Sequence, residues 1–254
     1  MKIVVPIKLV PDLVDEFEID ASGKALDTTF MRLILNEFDE HAIEQAVLIK
    51  EKGGGSISVI APEYDGADDV LFTAAARGVD KLIKLTGDFE STVSTHSLAA
   101  SMSEVIKNED ADLILTGVQA YDSFDGPIGP FLAEYLEMPY VGYVSKVSVS
   151  DGTCTVHKEY PGGVAAEMEI QLPAVLGIQA AEEPPRYIAI SKVRQASKSS
   201  TIEESAAGEA IMGGVATLDR MYVPEIGEKA VMFSGDEDQV ADQIIEVLRE
   251  IGIL

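Results

Sequence analysis

Apolar and polar positions follow two rhythms along this chain. Residues 2–10, KIVVPIKLV, form an apolar run that predicts a first strand, ended by Lys8 and Pro11-Asp12. Short β-rich runs recur at 57–61, 81–85 and 112–116, and each predicts a buried parallel strand. Between these runs the spacing turns helical. Ile43, Ala46, Val47 and Lys50 share one face after Asn36, a candidate N-cap with Asp39 at the third position. Gly53, Gly54 and Gly55 stop that helix. Residues 67–77 predict a second helix ending near Gly78. Leu98, Met102, Val105 and Ile106 predict a third behind Thr95 as cap. Phe131, Leu132, Tyr135 and Leu136 give a fourth. Strand and helix therefore alternate through residues 1–140, which predicts an α/β fold with a doubly wound, mostly parallel, Rossmann-like sheet.

The second rhythm has a period of two. Tyr143–Val149, Thr153–Glu159 and Val164–Leu172 alternate and are separated by Asp151-Gly152 and Pro161-Gly162-Gly163. They predict an antiparallel meander at a sheet edge, followed by an apolar strand over Pro173–Ile178. Residues 14–28 read as a loose polar hairpin. The chain then divides into an α/β domain over 1–183, a segment over 184–200 whose tail 195–200 reads as an exposed loop, and a C-terminal part over 201–254. That last part reads as an extended arm over 201–220 and a helix over 236–254. The helix carries Val240, Ile244, Val247, Leu248 and Ile251 on one face. It fits a subunit interface or a return onto its own domain equally well.

Composition narrows the function classes. The formal net charge is −25 and the pI about 4.3, so the surface repels nucleic acid and anionic membrane. No run approaches the length of a membrane span, and Met1–Pro6 reads as a strand start rather than a signal peptide. A single cysteine, Cys154, allows no internal disulfide, and the three histidines show no zinc spacing. A reducing, cytoplasmic location is expected.

Candidate chemistry gathers in residues 111–130. An apolar strand breaks at Gly117 and a helical pattern resumes after Gly126. Such a strand–loop–helix unit can place an anion at a helix N-terminus, outside the carboxyl end of a strand. A loop without any ligand fits the pattern equally, because no Walker or dinucleotide glycine fingerprint is present. A nucleotide-hydrolysing enzyme would need a lysine beside the carboxylates, and Asp122 and Asp125 have none nearby in the loop.

Several stretches are familiar as an ordered set: Asn36–Ala46, Gly78-Val79-Asp80, Thr116–Asp122, Pro161-Gly162-Gly163, Leu172–Val175 and Pro185-Arg186-Tyr187. Together they resemble the β subunit of electron transfer flavoproteins over essentially the whole chain. Leu218–Pro224 and the terminal helix look most like the acidic bacterial type that serves amine dehydrogenases. The resemblance implies a non-enzymatic electron carrier, a heterodimer with an α subunit that holds most of one FAD. It implies an AMP of structural role in the β subunit and dehydrogenases as electron donors. A related branch replaces AMP by a second FAD and uses NADH. A stand-alone stress-type nucleotide-binding protein shares the sheet, but would end near residue 140–150.

Carried over by position, the resemblance implies that Pro6 and Asn36 lie beside the nucleotide and that Ile60 and Ala61 flank its adenine. Gly117, Gln119, Asp122, Ser123, Asp125, Gly126, Pro127, Ile128 and Gly129 would meet ribose and phosphate. Leu13 and Phe38 would approach the flavin from the β side. Ile190 would anchor a partner-docking loop, with Lys192 and Arg194 at its rim. Two residues depart from the family pattern. Pro127 has no N–H to donate, and Asp125 would repel a phosphate unless capped or turned away. The occupant of the cleft is thus left open between AMP, FAD and none.

Overall fold

Strands that are apolar on both faces need helices on both faces. That is the arrangement in the computed structural model, which describes residues 1–87, 89, 94–207, 218–225, 227 and 230–254. The described strands are β1 (Lys2–Pro6), β2 (Leu9–Pro11), β3 (Leu33–Leu35), β4 (Ser56–Pro62), β5 (Lys81–Thr86), β6 (Leu113–Gly117), β7 (Tyr140–Ser150), β8 (Thr153–Tyr160), β9 (Val164–Gln171), β10 (Ala174–Ile178) and β11 (Ile202–Ala206). The helices are α1 (Glu37–Gly53), α2 (Ala67–Arg77), α3 (Thr95–Glu109), α4 (Ile128–Leu136), α5 (Ile190–Ser199) and α6 (Glu237–Glu250).

Nine strands form one sheet in the order β11-β5-β4-β1-β6-β10-β7-β8-β9. Pairing is parallel from β11 to β7 and antiparallel across β7, β8 and β9. Alternate residues feed two cores. Ile3 and Val5 of β1 pack with Ile43 and Val47 of α1 and Leu71 of α2. Val4 between them packs on the other face, with Leu98 and Met102 of α3 and Leu132 of α4. The two-residue loop Asp151-Gly152 takes positive φ at both positions, 47° and 79°, the conformation that an Asp-Gly hairpin favours.

The expected first strand is broken. Beyond Pro6 the chain leaves the large sheet, and β2 pairs antiparallel with β3 in a small sheet of its own. Ser94, not Thr95, caps α3, its hydroxyl accepting from the Ser97 N–H at 3.1 Å. The tail 195–200 is not a loop, because it lies in α5 up to Ser199, and Ala196 of that helix is buried. The expected arm is partly sheet, since β11 pairs parallel with β5; residues 208–217 of that arm lie outside the described residues. The further apolar strand, β10, sits inside the sheet between β6 and β7.

Met1–Met221 form one compact unit and Tyr222–Leu254 a second. In the second, α6 opens with a reciprocal cap. The Asp236 carboxylate accepts from the Gln239 N–H at 3.0 Å, and the Gln239 side chain accepts from the Asp236 N–H at 3.1 Å. No residue of α6 is buried, although Ile244 and Val247 lie along it and Ile251 follows at its C-cap.

Candidate functional site

The chain runs from β1 outward to β4 and β5 and then returns to place β6 on the other side of β1. The point where strand order reverses is where open α/β sheets bind ligands, outside the carboxyl ends of the strands. A cleft lies there, lined by Pro6 at the end of β1 and Lys8 beyond it, Asn36 and Asp39 at the start of α1, and Gly117 at the end of β6 with Ser123 beyond it.

Asp39 organises the cleft. Its side chain is buried, and its two oxygens accept the Lys8 N–H at 2.8 Å and the Gly117 N–H at 2.9 Å. The carboxylate thereby joins the segments that follow β1 and β6. Burial pushes its pKa up to about 7, opposed by the two N–H groups, which favour the ionised form. Gly117 has to lack a side chain, because a Cβ there would lie 2.8 Å from the Asp39 nitrogen. Asn36 holds the N-cap position of α1 without capping it through its side chain; its Nδ2 donates to the Gln119 carbonyl at 2.9 Å.

The loop between β6 and α4 is fastened by its own acids. The Lys8 ammonium donates to Asp122 at 2.8 Å and to Ser123 at 3.3 Å, with both charged side chains mostly shielded from solvent. Asp125 sits on the N-terminus of α3, accepting from the N–H groups of Thr95 at 3.0 Å and His96 at 3.2 Å. Burial alone would raise its pKa, but these hydrogen bonds outweigh it and hold the carboxyl below its ordinary value. Gly126 takes a φ of 116°, in the region that favours glycine. Pro127 is the N-cap residue of α4 and offers no N–H. Gly129 lies under the Tyr140 ring, which a Cβ would approach to 2.6 Å.

The residues expected around a nucleotide are therefore only partly convergent. Pro6, Asn36, Gly117, Gln119, Ser123 and Ile128 line the cleft together. Ile60 and Ala61 are fully buried and pack in the two cores on opposite faces of the sheet. The cleft itself encloses only about 20 Å³, room for a water molecule, whereas small-molecule sites span roughly 300–1,000 Å³. Its donor set does not suit the phosphate of AMP, because the one cation among the described lining residues, Lys8, is already paired with Asp122. A larger cavity of about 900 Å³ opens beyond Lys8 and Asp122, beneath β2 and β3. Among the described residues, the two cations that line it, Lys8 and Arg32, are already held by Asp122 and by Asp12 and Asp15.

Leu13 is 64% exposed and Phe38 half-buried. Ile190, at the first position of α5, is 68% exposed, and Lys192 and Arg194 are exposed beside it. Arg186 clamps the segment before α5 to α1, pairing with buried Glu44 at 2.8 Å and with Glu51 at 2.7 Å. Apart from the Pro185-Arg186-Tyr187 motif, nothing local in the chain signals this clamp, because Glu44 and Glu51 lie more than 130 residues away. Lys8 and Asp39 were also missed as cleft residues; the one read as a strand end and the other as part of a helix cap.

The chain matches the model of the electron transfer flavoprotein domain over residues 29–210. It is 31% identical over 261 residues to the electron transfer flavoprotein subunit beta of Methylophilus methylotrophus, covering 98% of each chain. It is 33% identical over 208 residues to the subunit beta of Syntrophomonas wolfei, covering 82% of this chain and 81% of that one. The subunit beta of Thermoanaerobacterium thermosaccharolyticum is 28% identical over the full length of both chains.

Proposed function

The chain belongs to the electron transfer flavoprotein family as a β subunit, and from that premise we propose that it pairs with an α subunit to carry electrons from a dehydrogenase to a downstream acceptor. The observation that carries the proposal is α6, a helix of 14 residues with an apolar stripe and no buried residue. Such a stripe needs a partner surface. Leu13, Val14 and Phe30 add exposed apolar area near β2 and β3.

FAD, held mainly by the α subunit, supplies the one- and two-electron chemistry. This chain's part is to position and to dock. Leu13 and Phe38 face the flavin side of the heterodimer in this reading. AMP is not part of the proposal, because the cleft does not accommodate it. A second FAD would need still more room in the same cleft. The acidic, cysteine-poor composition suits a cytoplasmic carrier, and Leu218–Pro224 points to an amine dehydrogenase as donor.

Docking is assigned to the start of α5. The helix packs against α2 and Ala196 is its buried residue, and the Arg186 clamp holds the segment before it, so Ile190 projects from a supported base. Lys192 and Arg194 are basic groups on a strongly acidic chain and would orient an acidic partner surface at encounter. Truncating a central apolar anchor costs about 2 kcal/mol, roughly a thirtyfold loss in affinity. Ile190→Ala should leave flavin content and the heterodimer intact and slow reduction by the dehydrogenase. Stopped-flow reduction by the enzyme, beside a chemical reductant, decides it. Unchanged enzymatic reduction would remove Ile190 from the docking surface.

A further inference from the structure

We propose that the nucleotide cleft of this chain is filled by its own side chains, with the Asp125 carboxylate serving as the anion on the N-terminus of α3 and the Lys8–Asp122 pair closing the mouth, so that the protein folds and works without AMP. The inference concerns this chain alone and stands whether or not the docking assignment above is right.

Four features carry it. The space enclosed at the switch point is about 20 Å³, too little for a nucleotide. A helix N-terminus attracts an anion, and here Asp125 already accepts from the Thr95 and His96 N–H groups. A phosphate brought to the same helix end would meet that carboxylate as a like charge. Lys8, the one cation among the described residues lining the cleft, is neutralised by Asp122 and hydrogen-bonded to Ser123. Freeing it for a phosphate would leave a poorly solvated Asp122 without its counter-charge. Finally, α4 begins with Pro127 at its N-cap and has Pro130 at its third position, so two of its leading residues lack an N–H.

The same contacts supply what a structural nucleotide would otherwise supply. A bound nucleotide at a switch point ties the βα loops to one another. Here Asp125 ties the loop before α4 to α3, the Lys8–Asp122 pair ties that loop to the end of β1, and Asp39 ties β1 to β6. Asp125 and Pro127, which look like defects in a phosphate loop, are consistent parts of a loop that has no phosphate to hold.

The test uses the full chain, expressed alone and together with its α subunit. Each preparation is unfolded in urea, and the released small molecules are identified by mass spectrometry. No AMP is expected from either, and addition of millimolar AMP should leave the melting temperature of the folded chain unchanged. AMP released at one per chain, or a melting temperature that rises with AMP, would overturn the proposal. FAD is counted in the same run, so loss of the α-subunit flavin is recognised separately. A second arm uses Asp125→Ala, expected to lower the melting temperature by several degrees through loss of a helix-terminal anion, with inorganic phosphate restoring part of the loss. Asp125→Asn, which keeps an acceptor and lacks the charge, should fall between the two. An Asp125→Ala protein that melts like the parent, with or without phosphate, would show that the carboxylate does not hold the loop.

Discussion

Replacing Asp39 by Asn tests the account of the switch point in detail. The carboxylate accepts two backbone N–H groups, one on each oxygen. An amide has one accepting oxygen, so one of the two N–H groups would face an NH₂ group instead. An unsatisfied buried donor costs about 1–3 kcal/mol, and this penalty does not depend on pH. The second effect does depend on pH. Burial raises the Asp39 pKa from 3.8 to about 7 in the folded protein. A carboxyl whose folded pKa lies above its unfolded one stabilises the fold at low pH, and that contribution disappears as pH rises through about 7. Between about pH 5.5, which stays clear of the isoelectric region, and about pH 8, the loss comes to roughly 2 kcal/mol. Asn cannot titrate. The parent should therefore exceed Asp39→Asn in stability at about pH 5.5, and the gap should narrow by roughly 2 kcal/mol by about pH 8. Since the chain has no tryptophan, urea unfolding followed by far-ultraviolet circular dichroism is the assay. Taking the difference between the two proteins cancels the other titrating groups they share. A gap that stays constant across this range would refute the reasoning, because the two N–H bonds would then have kept Asp39 ionised throughout.

Two further substitutions probe neighbouring parts of the account. Gly117→Ala places a Cβ against the Asp39 backbone nitrogen; overpacking of this kind costs about 1–3 kcal/mol and should lower the melting temperature by roughly 2–10 °C, so an unchanged melt would mean that the cleft can widen freely. A chain lacking residues 215–254 loses α6 and should no longer bind the α subunit; unchanged affinity would show that the apolar stripe on α6 is not the interface.

The parallel half of the sheet was legible because its strands carry their message in single residues. Val4 between Ile3 and Val5 is as apolar as its neighbours, which only a strand buried on both faces requires. The position of β10 was not legible. Its residues would suit any buried strand, and its insertion between β6 and β7 depends on contacts distant in sequence. The tail over 195–200 read as a loop because its residues are polar and small. The signal that it is a helix lies in Val193 and Ala196, three apart, which is enough apolar surface to rest on α2 and too little to dominate the pattern. At the cleft, the sequence identified the right loop and the two residues in conflict with a phosphate. It could not show where Asp125 points, since the N–H groups it meets belong to residues 95 and 96, on another element. Lys8 and Asp39 escaped notice for the same reason, as each acts on a part of the chain far away in sequence.

The central claim, a β subunit that acts only with an α partner, is tested most directly by co-expressing the two chains and following flavin absorbance through gel filtration. The account predicts one yellow peak containing both chains in equal amounts, with one FAD per pair. A colourless peak in which this chain elutes by itself, while the α subunit elutes elsewhere with its flavin, would contradict it.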